Sequence, residues 1–188
     1  MHIVLVGDSI RIGYEPYIRR ELAGLADLWT PGENGGNSRN VLDHLDEWVL
    51  AQRPNLLHIN CGLHDVRRDN GAPQPAISLT DYEANLRTLF ARLREAGIAT
   101  LWATSTPINE VRHARSGPSQ RREEDVIAYN RVSIRVAQEF GLPVNDLYSL
   151  INRLGRDRYL KQDGRHYVPA GYALLGHAVA DAIRPYLG

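Results

Sequence analysis

The chain has one cysteine, no net charge and no long apolar run, and each of these absences removes a class of protein. One cysteine cannot form an internal disulfide, and its surroundings, Leu-Leu-His-Ile-Asn-Cys61-Gly, read as a buried strand end rather than as a reactive thiol. With 22 basic against 22 acidic residues, no global field attracts nucleic acid or an anionic membrane surface. No segment approaches the ~20 apolar residues of a membrane span. The opening MHIVLVGDS is too short for a signal-peptide core and has neither a charged leader nor a small-residue cleavage site, so a cytosolic protein is expected. Repeats, low-complexity tracts and composition shifts are also missing. A single domain over residues 1–188 is the consequence, large enough to bury roughly 70% of its extended-chain surface.

What is present is an alternation of strand-length apolar runs with helix-length amphipathic ones, the signature of βαβ units around a parallel sheet. Strands are expected at Ile3 to Val6, Ala26 to Trp29, Leu56 to Asn60, Thr100 to Thr104 and Pro143 to Asn145. Ser38 is placed to cap a helix carrying Val41, Leu42, Leu45, Trp48 and Val49. Thr80 and Glu83 form a capping box ahead of Tyr82, Leu86, Leu89, Phe90 and Leu93, with Gly97 placed to end that helix. A further helix should run from Glu123 to Phe140, with three acids at its positive end, and the last should begin near Pro169. The segments 67–79, with Asn70-Gly71, and 106–120 read as long loops, of the kind that line ligand sites at the carboxyl edge of such a sheet.

Gly7-Asp8-Ser9 directly follows the first strand. Ser9 therefore lies at a strand-to-helix turn where a hydroxyl faces solvent and helix-start N–H groups can stabilise an oxyanion; Asp8-Ser9 equally suits a plain helix cap. A serine needs a base near neutral pH. Asp163-Gly164-Arg165-His166 supplies one on a turn before the last helix, with Asp163 able to accept the Nδ1 proton of His166 and leave Nε2 for a nucleophile. Asn34-Gly35-Gly36-Asn37 and Asn60-Cys61-Gly62-Leu63-His64-Asp65 fall on the same edge, and a glycine there lets a backbone N–H approach a ligand. His58, inside a strand, reads as a core group. His64, Asp65 and His166 make no recognisable metal-ligand spacing.

Taken in order, these four segments resemble the SGNH/GDSL hydrolase family over nearly the whole chain. The resemblance implies a three-layer αβα sandwich with a five-stranded parallel, flavodoxin-like sheet, no metal or cofactor, and a serine that attacks an ester. It implies Ser9 as nucleophile, His166 as base and Asp163 as its orienting carboxylate, with the oxyanion held by the N–H groups of Ser9 and Gly36 (Gly35 competing) and by a side chain of the third segment. There the family has asparagine and this chain has His64, whose single ring N–H depends on its tautomer. Asp8, Gly35, Asn37, Asp65, Arg67 and Arg112 are the expected substrate contacts. Arg67, Arg68, Arg112, His113 and Arg115 on the two loops, with no apolar stretch for a fatty chain, suggest a small acyl group, such as acetyl, on a sugar or other polar alcohol. A non-catalytic carbohydrate- or metabolite-binding protein and an acyltransferase using the same triad are the alternatives; a small-molecule ester is the expected partner, with oligomeric state left open.

Overall fold

The computed structural model describes residues 1–69 and 72–188, so the expected Asn70-Gly71 turn lies outside the described residues. In chain order the strands and α-helices are β1 (His2–Val6), α1 (Ser9–Glu21), β2 (Asp27–Trp29), α2 (Ser38–Asp43), β3 (Leu56–Ile59), α3 (Leu79–Glu95), β4 (Thr100–Ala103), α4 (Glu110–Ala114), α5 (Glu123–Glu139), β5 (Val144–Asn145), α6 (Leu147–Arg153) and α7 (Pro169–Ile183).

All strand pairs are parallel and the order is β2-β1-β3-β4-β5, the doubly wound flavodoxin-like arrangement. Ile3, Val4, Leu5 and Val6 are fully buried, as a strand covered on both faces requires. Side chains alternate between the faces. Ile59 pairs in register with Trp102, whose ring meets Phe90 of α3, whereas the adjacent His58 meets Tyr14 of α1. Consistently, α1 packs on α7, and α3 packs on α2 and α5. Helices thus flank both faces of the five-stranded sheet. No described helix is long and apolar enough to cross a membrane.

Some local expectations shift. The α3 cap is Ser78, whose Oγ accepts from Asp81 N at 3.1 Å, two residues before the expected Thr80; Glu83 instead pairs with Arg87 and Arg135. Asn37, not Ser38, caps α2, accepting from Asn40 N at 2.9 Å. That helix ends at Asp43 and gives way to a π-helical turn over Asp46–Leu50. The segment 106–120 is also not a pure loop, since it holds α4.

The order reverses between β1 and β3, and this opens a crevice at their carboxyl ends, where doubly wound sheets bind ligands. β1 runs into Gly7-Asp8-Ser9 and β3 into the segment containing His64. The two long loops meet over the crevice: Arg68 and Gln120 exchange backbone hydrogen bonds, each at 2.8 Å.

Candidate active site

Ser9 is the first residue of α1. Asp8 caps the helix by accepting from Ile10 N at 2.9 Å, so the capping reading and a half-buried serine that lines a cavity hold together. The Ser9 N–H makes no hydrogen bond within the described chain. Ser9 Oγ lies 2.9 Å from His166 Nε2, bridging 157 residues of sequence. On the other side of the ring, His166 Nδ1 lies 2.6 Å from Asp163 Oδ2. That contact fixes the tautomer: Nδ1 carries the proton toward the carboxylate and Nε2 accepts from the serine.

Asp163 is itself locked, its Oδ1 accepting from the backbone N–H groups of Arg165 and His166 at 3.1 and 3.0 Å. Burial alone would raise its carboxyl. The hydrogen bonds from the His166 N–H, its ring and the Arg165 N–H outweigh burial and hold it down to about 2. Gly164, between the carboxylate and Arg165, has φ +70°, and a Cβ there would lie 2.4 Å from the carbonyl oxygen of Asn109. Only glycine lets this turn pack so closely.

Ser9 and His166 open onto a cavity of about 280 Å³. Among the described residues its only apolar side chains are Ile10 and Leu63; Asp8, Asn34, His64 and Ser119 also line it, together with Arg67, Arg121 and Arg165. His64 is half-buried and has no hydrogen-bond partner among the described residues. Burial lowers its pKa; Arg121, Arg67 and Arg165 lower it further, and Asp8 opposes them. The ring is therefore neutral near pH 7 and presents one N–H.

The expected glycine donors are otherwise engaged. Gly35 N donates to the Gly7 carbonyl at 2.9 Å, and Gly36 N donates to Asn34 Oδ1, also at 2.9 Å. With its oxygen on Gly36, Asn34 keeps its amide Nδ2 without a partner in the described chain while lining the cavity. Of the six expected substrate contacts, Asp8 and Arg67 line the cavity, and Gly35, Asn37, Asp65 and Arg112 do not. Each has a structural task. Asp65 is fully buried and accepts from Ser38 N at 3.0 Å and from Ser38 Oγ, tying the second and third motif segments together. Burial pushes its carboxyl up to about 6 against the pull of those bonds. Arg112 Nη1 donates to the carbonyls of Asp157 and Leu160, at 3.3 Å each.

Among the loop cations expected near the site, Arg68 pairs with Asp125 and Arg115 is exposed. His113 is buried behind the site: Nδ1 donates to the Asp163 carbonyl at 3.1 Å and Nε2 accepts from Arg121 Nη1 at 3.2 Å. Arg121, Arg165 and Asn34 were not singled out by sequence reasoning. Arg165 had a signal, its place beside His166; Arg121, two residues before α5, had none. His58 and Cys61 are buried core groups, their pKa values shifted by burial, down to about 4 and upward respectively. Among the described residues, no three His, Cys, Asp or Glu side chains gather to hold a metal ion.

The model of the GDSL-like lipase/acylhydrolase family matches residues 5–174. An isoamyl acetate-hydrolyzing esterase 1 homolog of Bos taurus is 28% identical, with 90% of this chain and 76% of that protein covered. Among solved structures, a lipase/acylhydrolase from Enterococcus faecalis superposes with a TM-score of 0.83 at 25% identity, covering 98% of this chain and 96% of that one. An acetyl xylan esterase from Geobacillus stearothermophilus has the same fold, with a TM-score of 0.81 at 22% identity, covering 97% of this chain and 94% of that one.

Proposed function

We propose, from the premise that this chain belongs to the GDSL-like lipase/acylhydrolase family and is a carboxylic ester hydrolase, that it cleaves a small acyl ester of a polar alcohol through a covalent acyl-Ser9 intermediate. The observation that carries the reading is the continuous chain of contacts from Ser9 Oγ through His166 to Asp163, at 2.9 and 2.6 Å.

In the first step Ser9 Oγ bonds to the ester carbon while His166 Nε2 takes the hydroxyl proton, and the carbonyl electron pair moves onto its oxygen. Collapse of that oxyanion expels the alcohol, which receives the proton from His166. Water then attacks the acyl carbon, His166 accepts its proton, and the proton returns to Ser9 Oγ as the acid departs. Asp163 stays ionised and stabilises the imidazolium.

The oxyanion is assigned to the free Ser9 N–H and to the ring N–H of His64. Asn34 Nδ2 takes the third place, because Asn34 itself occupies the Gly36 N–H. An amide donor is thus supplied from the second motif segment where the third has lost its asparagine. A small acyl group is favoured by the cavity of about 280 Å³, whose apolar lining among the described residues is Ile10 and Leu63 alone. The acetyl esters named for the relatives agree with it.

Ser9→Ala should lower turnover of nitrophenyl acetate by about 10⁴-fold or more and abolish labelling by a fluorophosphonate. Unchanged turnover refutes the nucleophile. A preference for long-chain over acetyl esters refutes the small-acyl assignment.

A further inference from the structure

Three arginines, Arg67, Arg121 and Arg165, line a cavity of about 280 Å³ whose only acid among the described residues is Asp8. Buried arginine is ordinarily paired with a carboxylate. Arg67 has such a partner, Asp69, at 2.6 Å. Arg121 does not: at 5% exposure it gives Nε to the Leu63 carbonyl at 2.5 Å and Nη1 to His113 at 3.2 Å, and its Nη2 has no partner among the described residues. Burial and the neighbouring Arg165 and Arg67 charges lower its pKa to about 10, with Asp8 and Asp69 opposing, so it remains a cation near neutral pH. Arg165, half-buried, is likewise without a carboxylate partner among the described residues.

Asp8 acts on Arg121 through space, but it caps α1, makes no hydrogen bond to any of the three arginines, and is one carboxylate against both Arg121 and Arg165. With Arg67 paired to Asp69, two cations face one carboxylate, and a cavity with this excess of positive charge suits a further negative group.

The position of the charge follows from the base. The leaving alcohol must lie beside His166 Nε2, from which it takes its proton. Arg165 is the residue before His166, and Arg121 reaches the same loop through His113, which is hydrogen-bonded to the Asp163 carbonyl at 3.1 Å. Two of the three cations are thus tied to the loop that carries the base. We infer that the substrate is a small acyl ester of an alcohol bearing an anionic group, a carboxylate or a phosphate, held by Arg165 and the free edge of Arg121.

This inference rests on the hydrolase reading of the same site, and the test separates the two. Steady-state kinetics are measured with 4-acetoxybenzoate, whose leaving alcohol carries a carboxylate, and with its neutral methyl ester, on wild type and Arg165→Gln. The ratio of the two kcat/KM values cancels effects common to both substrates. Arg165→Gln should lower that ratio by about 10-fold or more, through KM of the charged ester, in line with loss of a charge-assisted hydrogen bond. Added salt should lower it in wild type. Arg121→Lys, which keeps the charge but loses the fork, should give an intermediate ratio.

Hydrolysis of both esters with a ratio indifferent to Arg165→Gln overturns the anion site and leaves the hydrolase reading intact. A monoester of a dicarboxylic acid, charged on its acyl side, preferred over its neutral analogue while 4-acetoxybenzoate is not, overturns the leaving-group placement. If wild type turns over neither ester and Ser9 resists fluorophosphonate, the hydrolase reading fails. The anion site is then judged by calorimetry with 4-hydroxybenzoate, whose binding must weaken in Arg165→Gln.

Discussion

Replacing His64 is the sharpest probe of the site, because the ring stands where the family carries an asparagine amide. Its neutral state leaves one N–H, no partner within the described chain competes for that N–H, and the ring lines the cavity with Ser9 and His166. If it donates to the oxyanion, His64→Ala removes one such donor, worth about 3–4 kcal/mol, or 10²–10³ in kcat. KM should change little, since the interaction forms only as the charge develops. His64→Asn restores an amide donor without a tautomer requirement and should recover most of the loss. The assay is steady-state hydrolysis of nitrophenyl acetate near pH 7.5, with urea unfolding as a control for stability. A His64→Ala kcat within threefold of wild type refutes the donor role, and so does a His64→Asn variant as slow as the alanine one. Asn34→Ala belongs in the same experiment. Should both side chains serve one oxyanion, the double variant will lose less than the sum of the single losses.

Other consequences of the geometry can be checked directly. Gly164→Ala forces a Cβ to within 2.4 Å of the Asn109 carbonyl oxygen at φ +70°, and should cost about 2–4 kcal/mol in urea unfolding while displacing Asp163 enough to depress kcat. Asp65 has a folded-state pKa near 6, above its unfolded value of about 3.9, so its contribution to stability is full below about pH 4 and is lost as pH rises through 6. Asp65→Asn should flatten that part of the stability profile, and parallel wild-type and variant curves between pH 4 and 7.5 would contradict it. Asp163 works in the opposite sense. With its pKa held to about 2, its contribution is present above about pH 4 and disappears as pH falls toward 2, so Asp163→Asn should remove that acid limb. His113→Ala leaves Arg121 Nη1 and the Asp163 carbonyl without their shared partner, and should raise KM for an anionic ester more than for its neutral analogue, measured on the same ester pair.

Most of the fold is written locally in the chain. The strand-length apolar runs, the helical stripe on Tyr82, Leu86, Leu89, Phe90 and Leu93, and the acidic start of α5 each depend on neighbours within a turn or two, so periodicity and capping chemistry reveal them. Gly7-Asp8-Ser9 after a strand and Asp163 three residues before His166 are local in the same sense. Their juxtaposition was legible because a parallel doubly wound sheet sends every such turn to one edge. Cap positions were less so, since Thr80 and Ser38 are as good a match to the helix-start rule as Ser78 and Asn37, and packing alone chooses between them.

What the sequence could not determine is which groups remain free once the chain has closed. Arg112 and Arg67 look alike in the sequence, yet one is consumed by two carbonyls of the following segments and the other reaches the cavity. Gly36 offers an N–H that Asn34 then occupies. Arg121 enters the site only because the Arg68 and Gln120 backbones pair and His113 bridges it to the base loop. Hydrogen-bond capacity is a local property of a residue, but its satisfaction depends on partners about 50 residues away for His113 and Asp163 or Arg68 and Gln120, and 157 for Ser9 and His166. The sequence therefore specified the serine, the histidine with its carboxylate and the sheet that brings them together, while tertiary closure decided which donors and charges were left free at the cavity.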